Sequence, residues 1–168
     1  MTSSTVPADI IAIDAADIDE EAPLLHLNNA HATELSYLTA PEMRKLVTEC
    51  CVAARIGAGR AFVLAVGENA QYESPNFRWF QDRFDRFVYI DRVCVDPSER
   101  GKGFARRLYA HVFTHARELG APRVVCEVNA EPPNPASDAF HAALGFEEIG
   151  TALLEERGKR VRYFEKRV

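Results

Sequence analysis

A chain of 168 residues with 47% apolar and 27% charged residues is sized for one domain with a hydrophobic core, and its composition excludes a disordered or fibrous protein. The formal net charge of −5 argues against a general nucleic-acid binder, whose phosphate contacts need a basic surface. No run approaches the roughly 20 apolar residues of a membrane span, and Met1 to Pro7 lacks the basic start and apolar stretch of an export signal, so a cytoplasmic protein is expected.

Residues 9–13 form a short apolar run with strand character. The acidic stretch 14–21 then leads into a first helix with Leu24, Leu25 and Leu27 facing inward, negative charge suiting the positive end of a helix dipole. Thr39 and Glu42 have the spacing of a capping box, with Pro41 in the first turn, and Met43, Leu46, Val47 and Cys50 recur at helical intervals behind it. Arg60 to Val66 reads as a strand closed by Gly67. The stretch 68–86 mixes Tyr72, Phe77, Trp79, Phe80 and Phe84 with arginines and aspartates, and its pattern fits either a hairpin or a long loop. Phe87 to Val95 is rich in strand formers and closes at Asp96-Pro97. Residues 104–119 carry apolar side chains at helical spacing, with Gly120 and Pro122 as stop signals. Val124 to Val128 is another strand, Asn134-Pro135 opens a further helix ending near Leu144, and residues 146–151 and 160–166 are two closing strands. The strand, helix, strand order from 87 to 128 implies parallel neighbours joined by a helix. Four cysteines (Cys50, Cys51, Cys94, Cys126) form no C-x-x-C pair, so buried or half-buried free thiols and no metal site are expected.

The run from Val93 to Ala105 places a strand, then a turn containing Gly101 and Gly103, then a long amphipathic helix. That order aims free backbone N–H groups and the positive end of the helix dipole at one point, which makes an anion site. Arg100, Lys102, Arg106, Arg107, Arg117 and Arg123 stand against Glu118 alone in this region, a basic patch on an acidic protein. Neither G-x-x-x-x-G-K-[ST] nor G-x-G-x-x-G is present, so the nucleotide P-loop and the dinucleotide fingerprint are excluded.

Arg100-Gly-Lys-Gly103-Phe-Ala105, preceded by Val93-Cys-Val95-Asp-Pro97, resembles the R/Q-x-x-G-x-G/A signature of the GCN5-related N-acetyltransferases. A second segment, Asn134-Pro-Ala-Ser137-Asp-Ala-Phe140-His141-Ala-Ala-Leu144-Gly145-Phe146, is similar to that family's N-x-x-[AS]-x-x-[FL]-[YH]-x-x-L-G-F segment. The resemblance implies a single α/β domain over residues 1–168, with a mixed, mostly antiparallel sheet flanked by helices and splayed between its fourth and fifth strands. It places a cofactor half at about 87–146 and an acceptor side at about 17–86. It further implies acetyl-CoA as cofactor. The main chain of Val93, Cys94 and Val95 would hold the pantetheine arm like an added strand. Arg100, Gly101, Lys102, Gly103, Phe104, Ala105 and Arg106 would hold the pyrophosphate, and Asn134, Ser137 and His141 would meet the cofactor from the second motif. Phe140 is expected in the core.

Amine acetylation must first remove a proton. A lysine-like amine of pKa about 10.4 is neutral in roughly one part in 2,500 at pH 7, a penalty near ~4.6 kcal/mol, so a base or a water chain to one is required. The base candidates are Asp91 and Glu127, with Tyr89 behind them. Alternation puts Asp91 on the face of Val93 and Val95 unless a bulge intervenes. His141 stands where many relatives carry a tyrosine acid, and histidine can donate a proton near neutral pH. No cysteine takes a motif position, so direct attack in a ternary complex is expected. The acceptor is expected to be a small-molecule amine, and the arginines among the 72–87 aromatics suit one carrying a carboxylate. Acetylation of a protein N-terminus or lysine, and a non-catalytic acyl-CoA sensor on the same fold, are the alternatives. No nucleic-acid or membrane partner is expected, and a homodimer is compatible with the fold.

Overall fold

The computed structural model describes residues 9–168; the Met1 to Pro7 stretch read above for an export signal lies outside them. The chain runs β1 (Ile10–Ala12), α1 (Pro23–Ala30), α2 (Ala32–Leu35), α3 (Ala40–Glu49), β2 (Cys50–Ile56), β3 (Ala61–Gly67) and α4 (Pro75–Gln81) in its first half. Its second half runs β4 (Val88–Val95), α5 (Phe104–Glu118), β5 (Arg123–Asn129), α6 (Pro135–Ala143), β6 (Glu147–Leu154) and β7 (Lys159–Arg167). The strands form one seven-stranded sheet in the order β1-β2-β3-β4-β5-β7-β6. Every neighbouring pair is antiparallel except β4 and β5. That parallel pair is joined through α5, as the strand, helix, strand order predicts. Among the described residues no helix is long and apolar enough to cross a membrane.

Each sheet face carries its own core. On one face α1, α3 and α4 bury Leu25, Met43, Phe77 and Phe80 against Phe62, Leu64, Val66 and Tyr89. On the other, α5 buries Leu108, Val112 and Ala116 against Val63, Ala65, Val88 and Val124. Burial of each large side chain contributes roughly 1.5–3 kcal/mol. That exceeds any single cap, so the two apolar faces decide the layering.

Caps decide where helices begin. Thr39 Oγ1 accepts from the Glu42 amide, and the Glu42 carboxylate accepts from the Thr39 amide at 2.8 Å, completing the capping box of α3. Thr39→Ala is expected to lower stability by about 1 kcal/mol, read as a shift in denaturant midpoint at unchanged slope.

Three local expectations are corrected. The 68–86 stretch is neither hairpin nor bare loop, because Ser74 caps a short helix opened by Pro75 that drives Phe77 and Phe80 fully into the core. Cys50 does not extend α3. It starts β2, where buried Val52, Ala54 and Ile56 alternate with Cys51, Ala53 and Arg55. Its two central alanines hid this strand, since alanine favours helix. All four cysteines are free thiols, but Cys51 is exposed rather than buried or half-buried.

Candidate active site

The sheet opens at its centre. β4 and β5 pair only at Val88↔Val124 and Tyr89↔Val125, so from Ile90 onward β4 has no strand partner on that side. The unpaired edge runs through Val93, Cys94 and Val95 to Asp96, whose carboxylate accepts from the Ser98 amide at 2.9 Å and shapes the turn. Two left-handed glycines follow, Gly101 (φ 81°) and Gly103 (φ 77°), conformations that other L-residues adopt at a cost of roughly 1–2 kcal/mol. A side chain at either would meet no atom within 4 Å, so each leaves open space. Gly103 is the N-cap of α5 and supplies no side-chain cap, which leaves the first-turn amides aimed into a groove. Val95, Arg100, Gly101, Gly103, Ala105, Arg106 and Phe140 line that groove. A strand edge lacking a partner, leading to an uncapped helix end, fits the extended arm and anionic head of acetyl-CoA.

The charges here are arranged unequally. Arg60 and Lys102 both donate to Glu99 Oε2, at 2.9 and 2.8 Å, and hold the Glu99 carboxyl down to about 2. Lys102 is thereby turned to Glu99, whereas Arg100 and Arg106 are exposed beside the groove. Phe104 points inward and is 6% exposed, so only its backbone is available to a ligand. The Cys94 thiol is buried on the α1 face, where burial pushes it up to about 11, a poor nucleophile.

The second motif is built differently from the expectation. Asn134 Oδ1 caps α6 by accepting from the Ser137 amide at 3.1 Å. His141 is 6% exposed, among Tyr109, Phe140, Phe146 and Phe164. Its Nδ1 lies 2.8 Å from the Ser137 carbonyl, with Ser137 Oγ 3.3 Å away. A carbonyl can only accept, so Nδ1 carries the proton and Nε2 accepts from the Tyr109 hydroxyl at 2.9 Å. Burial lowers its affinity for a second proton. The ring is thus satisfied at both nitrogens and has no N–H free for a departing thiolate. Phe140 is only half-buried, stacked edge-on against Tyr109 at 5.1 Å and shared with the groove.

On the opposite face, the register between β3 and β4 slips between Leu64↔Arg92 and Ala65↔Ile90. Asp91 is the extra residue of this bulge, and simple alternation fails there. Asp91 therefore does not share the face of Val93 and Val95; both Asp91 and Arg92 turn to the α1 side. Tyr72 donates to Asp91 Oδ1 at 2.5 Å, and Arg92 Nε donates to Oδ2 at 2.8 Å. Arg92 Nη1 also donates to the buried Asn28 at 2.9 Å. Asp91 and Arg92 side chains are 5% and 7% exposed, so this is a buried ion pair in which both Asp91 oxygens are bonded.

Glu127 shares the face of Val125, two residues on, and so fronts Asp91 across the opening. The residue is half-buried, but its Oε2 is fully buried with no hydrogen-bond partner, as is the nearby Tyr89 hydroxyl. Burial, and then the Asp91 charge, push the Glu127 carboxyl up to about 8, partly offset by Tyr89 and Asn76. Asn76 on α4 accepts from the Tyr163 hydroxyl at 2.9 Å. Tyr72, Asn76, Arg92 and Tyr163 thus complete a polar cluster that lay scattered along the sequence. The capped Ser74-Pro75 helix start was the one signal that could have placed Asn76.

A cleft of about 580 Å3 opens beside this cluster, between α3 and the 70–73 segment, with Tyr72 and Arg92 in its wall. Glu42, Glu49 and Glu73 line it against Lys45. The aromatic-segment arginines do not reach it: Arg83 lies 3.6 Å over Trp79, and Arg86 donates to the Leu119 carbonyl. Among the described residues no group of three or more His, Cys, Asp or Glu side chains is placed to hold a metal ion.

The Glu127 carboxyl has a consequence for stability. The folded protein holds this proton up to about pH 8, while an unfolded chain releases it near 4.5, so folding takes up a proton between those values. Its contribution is whole below pH 4.5 and falls as pH rises toward about 8, with a slope of up to about 1.4 kcal/mol per unit. Denaturant titrations at both ends of that interval should show wild type losing more stability than Glu127→Gln.

A splayed sheet, an uncapped helix start and a carboxyl with a buried oxygen at the opening form a groove of a shape and polarity that suit a long anionic ligand. Residues 69–146 match the acetyltransferase (GNAT) family. Over that stretch, which holds the glycine turn, β5 and the second motif, the chain is similar to the GNAT acetyltransferases, enzymes that act on amine acceptors with acetyl-CoA as donor. Its fold is similar to that of a chain in the NatC complex bound to Gag peptide and CoA, at 12% identity and TM-score 0.72 over 95% of this chain and 98% of the other. It is also similar to a ribosomal-protein-alanine N-acetyltransferase from Brucella melitensis (20% identity, TM-score 0.70, 95% and 99% covered). A third similar structure is an agmatine N-acetyltransferase (15% identity, TM-score 0.66, 95% and 99% covered). No curated protein matches the chain in sequence.

Proposed function

We propose that this protein transfers an acetyl group from acetyl-CoA to a small primary amine by direct attack in a ternary complex, with Glu127 as general base. The observation that carries this reading is the buried, unpartnered Glu127 Oε2 at the opening, where the β4 edge begins. The amides of Gly101 to Arg106 hold the pyrophosphate, joined by Arg100 and Arg106, and the β4 backbone through Val95 orients the pantetheine arm. Bound there, acetyl-CoA supplies a thioester carbonyl at the opening. Glu127 would take the ammonium proton and free the amine lone pair; as the C–N bond forms and the thioester C–S bond breaks, the second proton on nitrogen would pass to the departing sulfur, so that CoA leaves as the thiol. A base whose proton affinity lies near working pH does this best, and a carboxyl raised to about 8 meets that condition. Asp91 is a weaker candidate because both its oxygens are bonded. His141 serves to lock α6 against α5.

The acceptor enters by the cleft between α3 and the 70–73 segment. Three carboxylates against Lys45, with the cleft's other cation, Arg92, paired to Asp91, favour a cationic amine over one carrying a carboxylate. The test is thiol release from acetyl-CoA with agmatine, with glycine, and with a short peptide bearing a free N-terminus. Turnover highest on agmatine supports the reading. Preference for the peptide favours the protein-acetylating alternative, and acetyl-CoA binding with no turnover on any amine favours the sensor.

A further inference from the structure

The inference concerns Asp91 and rests on the reading of Glu127 as base. The titratable and polar groups that act on Glu127 or are acted on by it are Tyr89 and Asp91 from β4, with Arg92 beside Asp91, Tyr163 from β7, Tyr72 and Asn76 from the 72–76 stretch, and Tyr109 and Cys126 from the other side of the sheet. Asn76 carries no charge. Burial pushes the four tyrosines and Cys126 upward, so they are neutral wherever Glu127 titrates. Asp91 is the carboxylate of this set and is paired with the Arg92 guanidinium. Its charge is secured by the Arg92 guanidinium at 2.8 Å and the Tyr72 hydroxyl at 2.5 Å. Arg92 is itself held by Asn28. Asp91 keeps the alternation of Tyr89 and so shares its face, and the β4 bulge turns the next residue, Arg92, to that same face beside it.

We propose that Asp91 is a positioning residue: a carboxylate pinned by Arg92 and Tyr72 whose fixed negative charge fronts Glu127 across the opening and makes it the stronger base. A like charge at close range disfavours ionisation of its neighbour, and inside a protein it is weakly screened.

The experiment titrates the Glu127 carboxyl directly by 13C NMR of glutamate-labelled protein, with Glu127→Gln identifying the resonance. A parallel measurement follows the pH dependence of kcat/KM with agmatine. Asp91→Asn should lower the NMR midpoint by about one pH unit and move the ascending limb of kcat/KM to lower pH by the same amount. Tyr72→Phe, which leaves the Asp91 charge in place, should leave both where they are. Asp91→Asn strands the Arg92 cation and could unfold the chain, so Asp91→Asn/Arg92→Gln removes the pair as a unit; the lost cation offsets part of the effect, and the midpoint should fall in the same direction by a smaller amount. An unmoved midpoint in the foldable variant overturns the inference. So does loss of turnover at every pH with an unmoved midpoint, the signature of Asp91 as the base itself. A midpoint that falls while kcat/KM keeps its limb overturns the base reading of Glu127 instead, and the NMR arm needs no turnover to be read.

Discussion

Glu127→Gln is expected to lower kcat by about 10²–10⁴-fold near neutral pH while leaving acetyl-CoA affinity unchanged. The size follows from the proton problem. An amine of pKa about 10.4 is almost wholly protonated at pH 7, and without a base the enzyme must wait for the roughly one molecule in 2,500 that arrives neutral. The variant should therefore recover as pH rises, its rate climbing with the fraction of free amine, whereas wild type levels off above the Glu127 midpoint. Glutamine keeps the volume of the side chain and removes a charge that burial disfavours, so the variant should fold, and above about pH 8 it should be more stable than wild type. Steady-state rates across pH, with calorimetry for acetyl-CoA, separate the two effects. A kcat within a few-fold of wild type at neutral pH would remove Glu127 from the mechanism.

Gly103→Glu is expected to weaken acetyl-CoA binding by about 100-fold or more, on two physical grounds. Gly103 has φ 77°, so any L-residue there is strained, by roughly 1–2 kcal/mol. The new carboxylate would also sit at the uncapped start of α5, occupying the dipole and amides meant for a phosphate and repelling the phosphates that remain. Open space around the position means that the fold should survive, with a modest fall in Tm. Isothermal titration of acetyl-CoA into both proteins reads the loss directly. Undiminished binding by a folded variant would place the pyrophosphate elsewhere.

Much of this was legible along the chain. The strand, glycine turn and amphipathic helix from Val93 to Glu118, and the Asn134 cap of α6, are local features set by neighbours in sequence, and the structure reproduces them. The capping box at Thr39 and Glu42 is local in the same way. Short, alanine-rich β2 and aromatic α4 were not legible, because what makes them strand and helix is the core they meet, not their own propensity.

The sequence by itself determined the family motifs, the anion-binding loop and the pair of carboxylates from which a base could be drawn, since each depends on residue type and short spacing. Only the tertiary structure gives those carboxylates different surroundings. A one-residue bulge in β4 brings Arg92 to the face of Asp91, where it and Tyr72 satisfy both Asp91 oxygens, while Glu127 is left across the opening with a buried, unpartnered oxygen. Tertiary structure likewise sent His141 inward, where the Ser137 carbonyl and the Tyr109 hydroxyl take up both ring nitrogens. The physical reason is common to both: whether a titratable group is free or spent depends on hydrogen-bond partners and burial supplied by distant parts of the chain, and those exist only once the sheet has formed and opened.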